Sequence, residues 1–173
     1  QKAADAAKAV IDLKQYQLYP DYKKLFQEAG AWNSEVIWAR PTNSLIDQEA
    51  RIEQLFYPNG EQGFGQVHPI QNLVDDYEML SGKLPKDDPA YDPQNPYINR
   101  DPRFYNCILY NGAPFRGRQI ETFIPGGKDS PEGPISGWNA TETGYYPCKF
   151  ITESYSGLGW ETSNPPWIWF RYG

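Results

Sequence analysis

From Ala3 to Leu13 the apolar positions Ala3, Ala6, Ala7, Val10 and Ile11 recur at helical spacing, with Lys2, Asp5, Lys8 and Asp12 between them. This pattern predicts an amphipathic helix. Its apolar face is built of small side chains and so expects close packing on another helix. After a turn at Tyr19-Pro20, the residues Tyr22, Leu25 and Phe26 predict a short second helix that ends near Gly30. Such a pair has the form of the last unit of a helical-hairpin array, and one unit alone cannot bury its own apolar face. Residues 1–30 are therefore expected as one domain and residues 31–173 as another, with the chain ends expected to lie inside something larger.

The second region is predicted as short elements between long loops. Val36, Ile37 and Trp38 predict a strand closed by Arg40-Pro41. Ser44 with Asp47 starts a helix whose face continues through Leu45, Ile52, Leu55 and Phe56 to Pro58. A Gly-rich loop follows from Asn59 to Gly65, and Pro69 opens a helix with Ile70, Leu73, Val74 and Tyr77 on one face. Lys83 to Asn99 holds four prolines and reads as an ordered loop. Asp101-Pro102 is a helix cap, after which Phe104 to Tyr110 predicts a strand, Asn111-Gly112 a turn and Gln119 to Ile124 its partner strand. Gly126 to Gly144 reads as a further loop and Tyr145 to Ile151 as a last short strand. The chain closes on the bulky apolar run Pro165 to Gly173. Together these predict an α+β, loop-rich fold with short helices and a small antiparallel sheet.

Composition narrows the class. Aromatic residues make up 16% of the 173 residues, which excludes a disordered chain. Pro at 16 and Gly at 15 exceed ordinary usage and agree with many loops. The net charge is −6, and no Lys/Arg stripe is present to neutralise phosphates, so nucleic acid is not expected as a partner. Apolar runs are only a few residues long, far short of the roughly 20 needed to cross a bilayer.

Few residues point to catalysis. The sole His68 lies between Val67 and Pro69, with no nucleophile motif to serve. Gly63-Phe64-Gly65 lacks the further Gly and the Lys of a phosphate loop and reads as a bend. Asp75-Asp76, Asp87-Asp88 and Asp92 could supply a hydrolase with two carboxylates, although solvated faces explain them as well. Ala90 occupies the place of the second acidic ligand of a calcium loop, and neither a metal nor a cofactor is expected. Cys107 and Cys148 stand 41 positions apart, so a single disulfide and two buried thiols are both open.

What remains is aromatic richness on polar loops. Flat Trp and Tyr rings suit the axial C–H faces of sugars while Asn bonds the hydroxyls. On this basis Trp138, Asn139, Tyr145, Tyr155 and Trp160 are the candidate oligosaccharide-binding residues. Trp38, Trp167 and Trp169, in apolar strand-like runs, are expected in the core.

The stretch Pro69-Ile70-Gln71-Asn72-Leu73-Val74-Asp75-Asp76-Tyr77-Glu78-Met79, then Asn99-Arg100-Asp101-Pro102-Arg103-Phe104 with Ile108 to Gly112, Lys149-Phe150 and Arg171-Tyr172, resembles the SusD/RagB family of outer-membrane nutrient-binding lipoproteins. Gln1 to Phe26 is similar to the last part of that family's TPR-like helical repeats. The resemblance implies a mainly α parent several times longer than this chain, anchored to the outer membrane by a lipid that this stretch does not carry. It also implies a non-enzymatic role: holding oligosaccharide or peptide as a lid on a SusC-like TonB-dependent transporter, with ligand contacts made by variable loops. A segment that serves mainly as transporter interface is an alternative. Arg100, Asp101 and Arg103 are expected to form a cap and local ion pairs, with Leu73, Val74, Tyr77 and Phe104 as core.

Overall fold

The two strand-like runs nearest the ends of the chain pair with each other. In the computed structural model, which describes residues 1–27, 30, 32–41, 52–133, 137–153 and 165–173, β1 (Val36–Arg40) lies antiparallel to β6 (Trp167–Arg171). α1 (Lys2–Asp12) precedes β1, and between β1 and β6 in chain order come α2 (Ile52–Phe56), α3 (Gln71–Asp76), α4 (Pro102–Cys107), β2 (Ile108–Leu109), β3 (Pro114–Phe115), β4 (Arg118–Gln119) and β5 (Tyr146–Pro147). The fold is α+β and loop-rich. It divides into two compact units, Gln1–Ala50 with Ser163–Gly173, and Arg51–Thr162.

The first unit is organised around Glu35, which is buried. Its carboxylate accepts the backbone N–H of Tyr19 at 2.8 Å and pairs with the Arg171 guanidinium, while its carbonyl accepts the N–H of Tyr172 at 2.9 Å. A buried carboxylate needs this degree of pairing to be tolerated. The Ala face of α1 was expected to meet a helix. Instead Ala6, Ala7, Val10 and Ile11 line a cleft of about 440 Å³ with Ile37, Phe170, Arg171 and Tyr172. The expected second helix shrinks to one 3-10 turn, Lys24–Phe26, that buries Leu25 and Phe26. The chain folds back so tightly there that a Cβ on Gly30 would lie 1.8 Å from the Lys24 carbonyl oxygen. Trp38, Trp167 and Trp169 are exposed, not core. They project from β1 and β6, and Trp38 stacks on Trp169 at 5.9 Å and on Phe170 at 6.0 Å, so the rings shield one another across the ladder.

In the second unit α4 replaces the first half of the strand expected at Phe104 to Tyr110. The Asp101 carboxylate accepts the N–H of Arg103 at 2.7 Å and Pro102 fills the first helical position. That cap and the preset proline φ outweigh the β preference of Phe104 and Tyr105. Only Ile108 and Leu109 remain extended, and they pair with β5 rather than with residues 119–124. The tight hairpin of this region joins β3 to β4 across Arg116-Gly117, whose φ angles of +50° and +78° are those of a primed turn. Asn111-Gly112 turns as well, but leads into that hairpin. Tyr57, Leu109, Phe115, Ile120, Tyr146 and Ile151 form the core with Ala113 and Cys148. Of the helical face that begins at Ile70, only Val74 is buried; Ile70 and Leu73 are exposed. α3 ends at Asp76, and Tyr77 is already extended.

Among the described residues, Arg100 is the largest fully buried side chain. The sequence suggested a local ion pair for it. Instead its guanidinium donates to the carbonyls of Pro96 at 3.0 Å, Tyr77 at 2.8 Å and Val74, and lies 4.8 Å from the Phe104 ring centroid. Arg103 forms the ion pairs, with Asp101 at 2.6 Å and Glu78 at 3.4 Å.

Two outcomes are expected in urea unfolding. Arg100→Met leaves three carbonyls without their donor and lowers stability by about 3 kcal/mol; a loss below about 1 kcal/mol would refute this role. The Arg103 guanidinium beside Asp101, aided by the Arg103 N–H, holds the Asp101 carboxyl below its ordinary value. A depressed folded value means the cap contributes fully above about pH 4 and is lost as pH falls further. Asp101→Asn should flatten that acid limb, and an unchanged profile would show that the cap contributes nothing to it.

Candidate functional site

Three backbone hydrogen bonds hold residues 64–66 against residues 54–57: Phe64 N–H to Gln54 at 2.7 Å, Gly65 N–H to Tyr57 at 3.2 Å and Gln66 N–H to Leu55 at 2.8 Å. The flanking glycines permit this approach. A Cβ on Gly63 would lie 2.1 Å from the Tyr57 carbonyl oxygen, and one on Gly65, at φ +50°, would lie 2.2 Å from that of Asn139. The half-buried His68 bonds the Gly65 carbonyl through Nε2 and so closes the same loop. Phe64 is thereby fixed on a short, inflexible frame.

Trp138 stacks on it. The indole, on the 3-10 turn Gly137–Asn139, lies 6.4 Å from the Phe64 ring at 21° and is 74% exposed. An exposed Trp held this way offers a flat apolar face without a rotamer search. Next to it Asn139 is buried, and its Oδ1 has no hydrogen-bond partner.

The turn rests on a buried polar frame. The Tyr146 hydroxyl donates to the Asp129 carbonyl at 2.7 Å and accepts the N–H of Thr141 at 3.0 Å. The Asp129 carboxylate accepts both Arg118 guanidinium nitrogens at 2.7 and 2.8 Å, together with the N–H groups of Gly60 and Glu121 at 2.9 Å. Asp129 and Glu61 push the Arg118 pKa further up, and burial raises that of the Tyr146 phenol. Neither Arg118 nor Tyr146 changes charge near neutral pH.

The other expected residues fall in different places. Tyr145 is buried, donates its hydroxyl to Gln71 Oε1 at 2.8 Å and lies 3.1 Å from the Tyr97 hydroxyl. Burial and that neighbour push the Tyr97 phenol up. Tyr155 and Trp160 lie outside the described residues. Sequence reasoning missed Phe64, although the glycines on either side of it were a signal of a backbone with no room for a Cβ. It also missed the exposed Trp38, Trp169 and Phe170 ladder, which apolar patterning alone cannot tell from a core strand. As for the loop carboxylates, Ser81 and the Ala90 N–H hold the Asp88 carboxyl below its ordinary value, and Asn95 and the Gln94 N–H do the same for Asp92. A general acid needs the opposite shift.

The SusD family model matches residues 26–173. In structure the chain is similar to a SusD-like carbohydrate binding protein from Bacteroides fragilis, at 26% identity and a TM-score of 0.78, over 98% of this chain and 33% of that one. It is also similar in fold to a second SusD-like protein from Bacteroides fragilis, at 21% identity and a TM-score of 0.67, over 99% of this chain and 38% of that one. The chain thus spans little more than a third of the length of these relatives. No curated protein matches it.

Proposed function

This chain belongs to the SusD family, and on that premise we propose that it is part of a non-enzymatic glycan-binding protein of the bacterial outer surface. In this reading the protein is a lipid-anchored, outward-facing lipoprotein that holds oligosaccharide and passes it to a SusC-like TonB-dependent transporter. The observation that carries the proposal is the exposed Trp138 ring seated on Phe64. A sugar laid on that face contributes its C–H surface to the indole, and Asn139, buried at the next position, supports the turn that presents the ring. Tyr145 acts beneath the surface, as support. Tyr155 and Trp160 extend the proposed site along the chain.

The carbohydrate binding recorded for the Bacteroides fragilis relative supports this reading. The lowered Asp88 and Asp92 carboxyls are unsuited to the general-acid half of a hydrolase pair. Ligand identity depends on hydroxyl geometry rather than on stacking, because one ring face accepts many hexoses.

The test is calorimetric titration of the chain and of the longer protein that contains it against plant and host oligosaccharides, with product analysis of each sample. Trp138→Ala should weaken binding about tenfold, near 1.4 kcal/mol, while leaving urea stability within about 0.5 kcal/mol, as expected of an exposed residue. Tyr145→Phe should show the reverse, with affinity retained and stability lowered by about 1 kcal/mol. Unchanged affinity in folded Trp138→Ala would remove this ring from the site. New reducing ends that vanish with a single Asp or Glu substitution would overturn the binding-only role.

A further inference from the structure

Cys107 and Cys148 are the only two cysteines in the sequence, and both are buried thiols. The ladder between β2 and β5 sets Ile108 opposite Pro147 and Leu109 opposite Tyr146. One step further in the same register brings Cys107 opposite Cys148, and the backbone agrees, since the Cys148 N–H donates to the Cys107 carbonyl at 2.7 Å. Cys107 ends α4, so this contact is one backbone hydrogen bond beyond the ladder; a bond of that kind holds its two Cα atoms about 5–6 Å apart, within the range of about 4.4–6.8 Å that disulfides span.

We infer that Cys107 and Cys148 are a modification site that closes to an intrachain disulfide when the chain meets a disulfide oxidant. The step is thiol–disulfide exchange. The thiolate of one cysteine attacks the S–S bond of a small-molecule disulfide such as oxidised glutathione, forming a mixed disulfide and releasing one thiol. The second cysteine's thiolate then displaces the other thiol and forms the Cys107–Cys148 bond. Two protein thiols are oxidised, one small disulfide is reduced to two thiols, and the two cysteine protons end on them. No other cysteine in the chain competes.

The bridge joins the end of α4, which starts at the Asp101 cap, to the residue that follows β5. The residues between them, 108 to 147, include the Trp138 turn and both tyrosines that follow it. Oxidation therefore adds a covalent tie to the two ends of the excursion that carries the exposed ring, which the β2–β5 ladder already holds together.

The test treats the chain with oxidised glutathione, quenches it with acid, and labels it with maleimide in denaturant before intact-mass measurement. The expected product takes up no label and is about two hydrogens lighter, and it takes up two labels after reduction. Its thermal midpoint should fall by about 5 °C or more when reductant is added. Cys107→Ser and Cys148→Ser should each remove that response, and Cys107→Ala serves if a serine variant does not fold. Two maleimide labels, two glutathione adducts or a disulfide-linked dimer after oxidation would each overturn the inference.

Discussion

The second unit depends on a charge buried without a counter-charge. Arg100 sits in the interior with carbonyls from the end of α3, from Tyr77 and from Pro96 turned toward its guanidinium, and the Phe104 ring close by. An ion moved from water into such a place is tolerated only when its hydrogen bonds are replaced. The replacement here comes from two stretches, α3 with the residue that follows it and the proline-rich loop. The proline-rich loop from Lys83 to Asn99 contributes few apolar side chains, yet its last turn is held because it supplies an acceptor to Arg100. Around this point the rings of Tyr97, Phe104 and Tyr110 stack on one another, with Tyr97 and Tyr110 at 4.1 Å. Aromatic stacking and one guanidinium thus take the part that aliphatic packing plays in larger cores.

A similar economy holds Asp129. It is fully buried, and four protein donors converge on its carboxylate while its carbonyl accepts the Tyr146 hydroxyl. The loops of residues 57–65 and 118–130 and the turn before β5 meet at this one residue. Loops fixed by buried polar networks are positioned as firmly as secondary structure, provided every member is satisfied. The unsatisfied Oδ1 atoms of Asn59 and Asn139 stand out against that background.

Much of the scaffold was legible in the sequence because its signals were local. The Asp101-Pro102 cap, the Pro-rich loop, the short strand at Val36 and the first helix all follow from residues within a few positions of one another. The failures are non-local. Phe104 and Tyr105 have strand-like side chains, but the cap three residues earlier commits them to α4. β2 pairs across about 40 positions with β5 rather than with the nearer segment beyond Asn111-Gly112, and no pattern in the chain encodes that choice. Trp38 and Trp169 lie in apolar runs and still face outward, because periodicity reports a face but not what covers it. At the candidate site Trp138 was found from composition. Its partner Phe64 was passed over because the glycines beside it were weighed only as a phosphate loop.

The backbone around Phe64 has a consequence for how such a surface can change over time. Gly63 and Gly65 lie against carbonyl oxygens and cannot gain a side chain without moving the loop, whereas Trp138 contributes almost nothing to the interior. The frame and the ring it presents are therefore under separate constraints. The positions that shape the socket are locked by sterics, and the position that meets the solvent is open to exchange. Replacing the ring at position 138 leaves the fold intact, so the character of this exposed surface can change without passing through unstable intermediates.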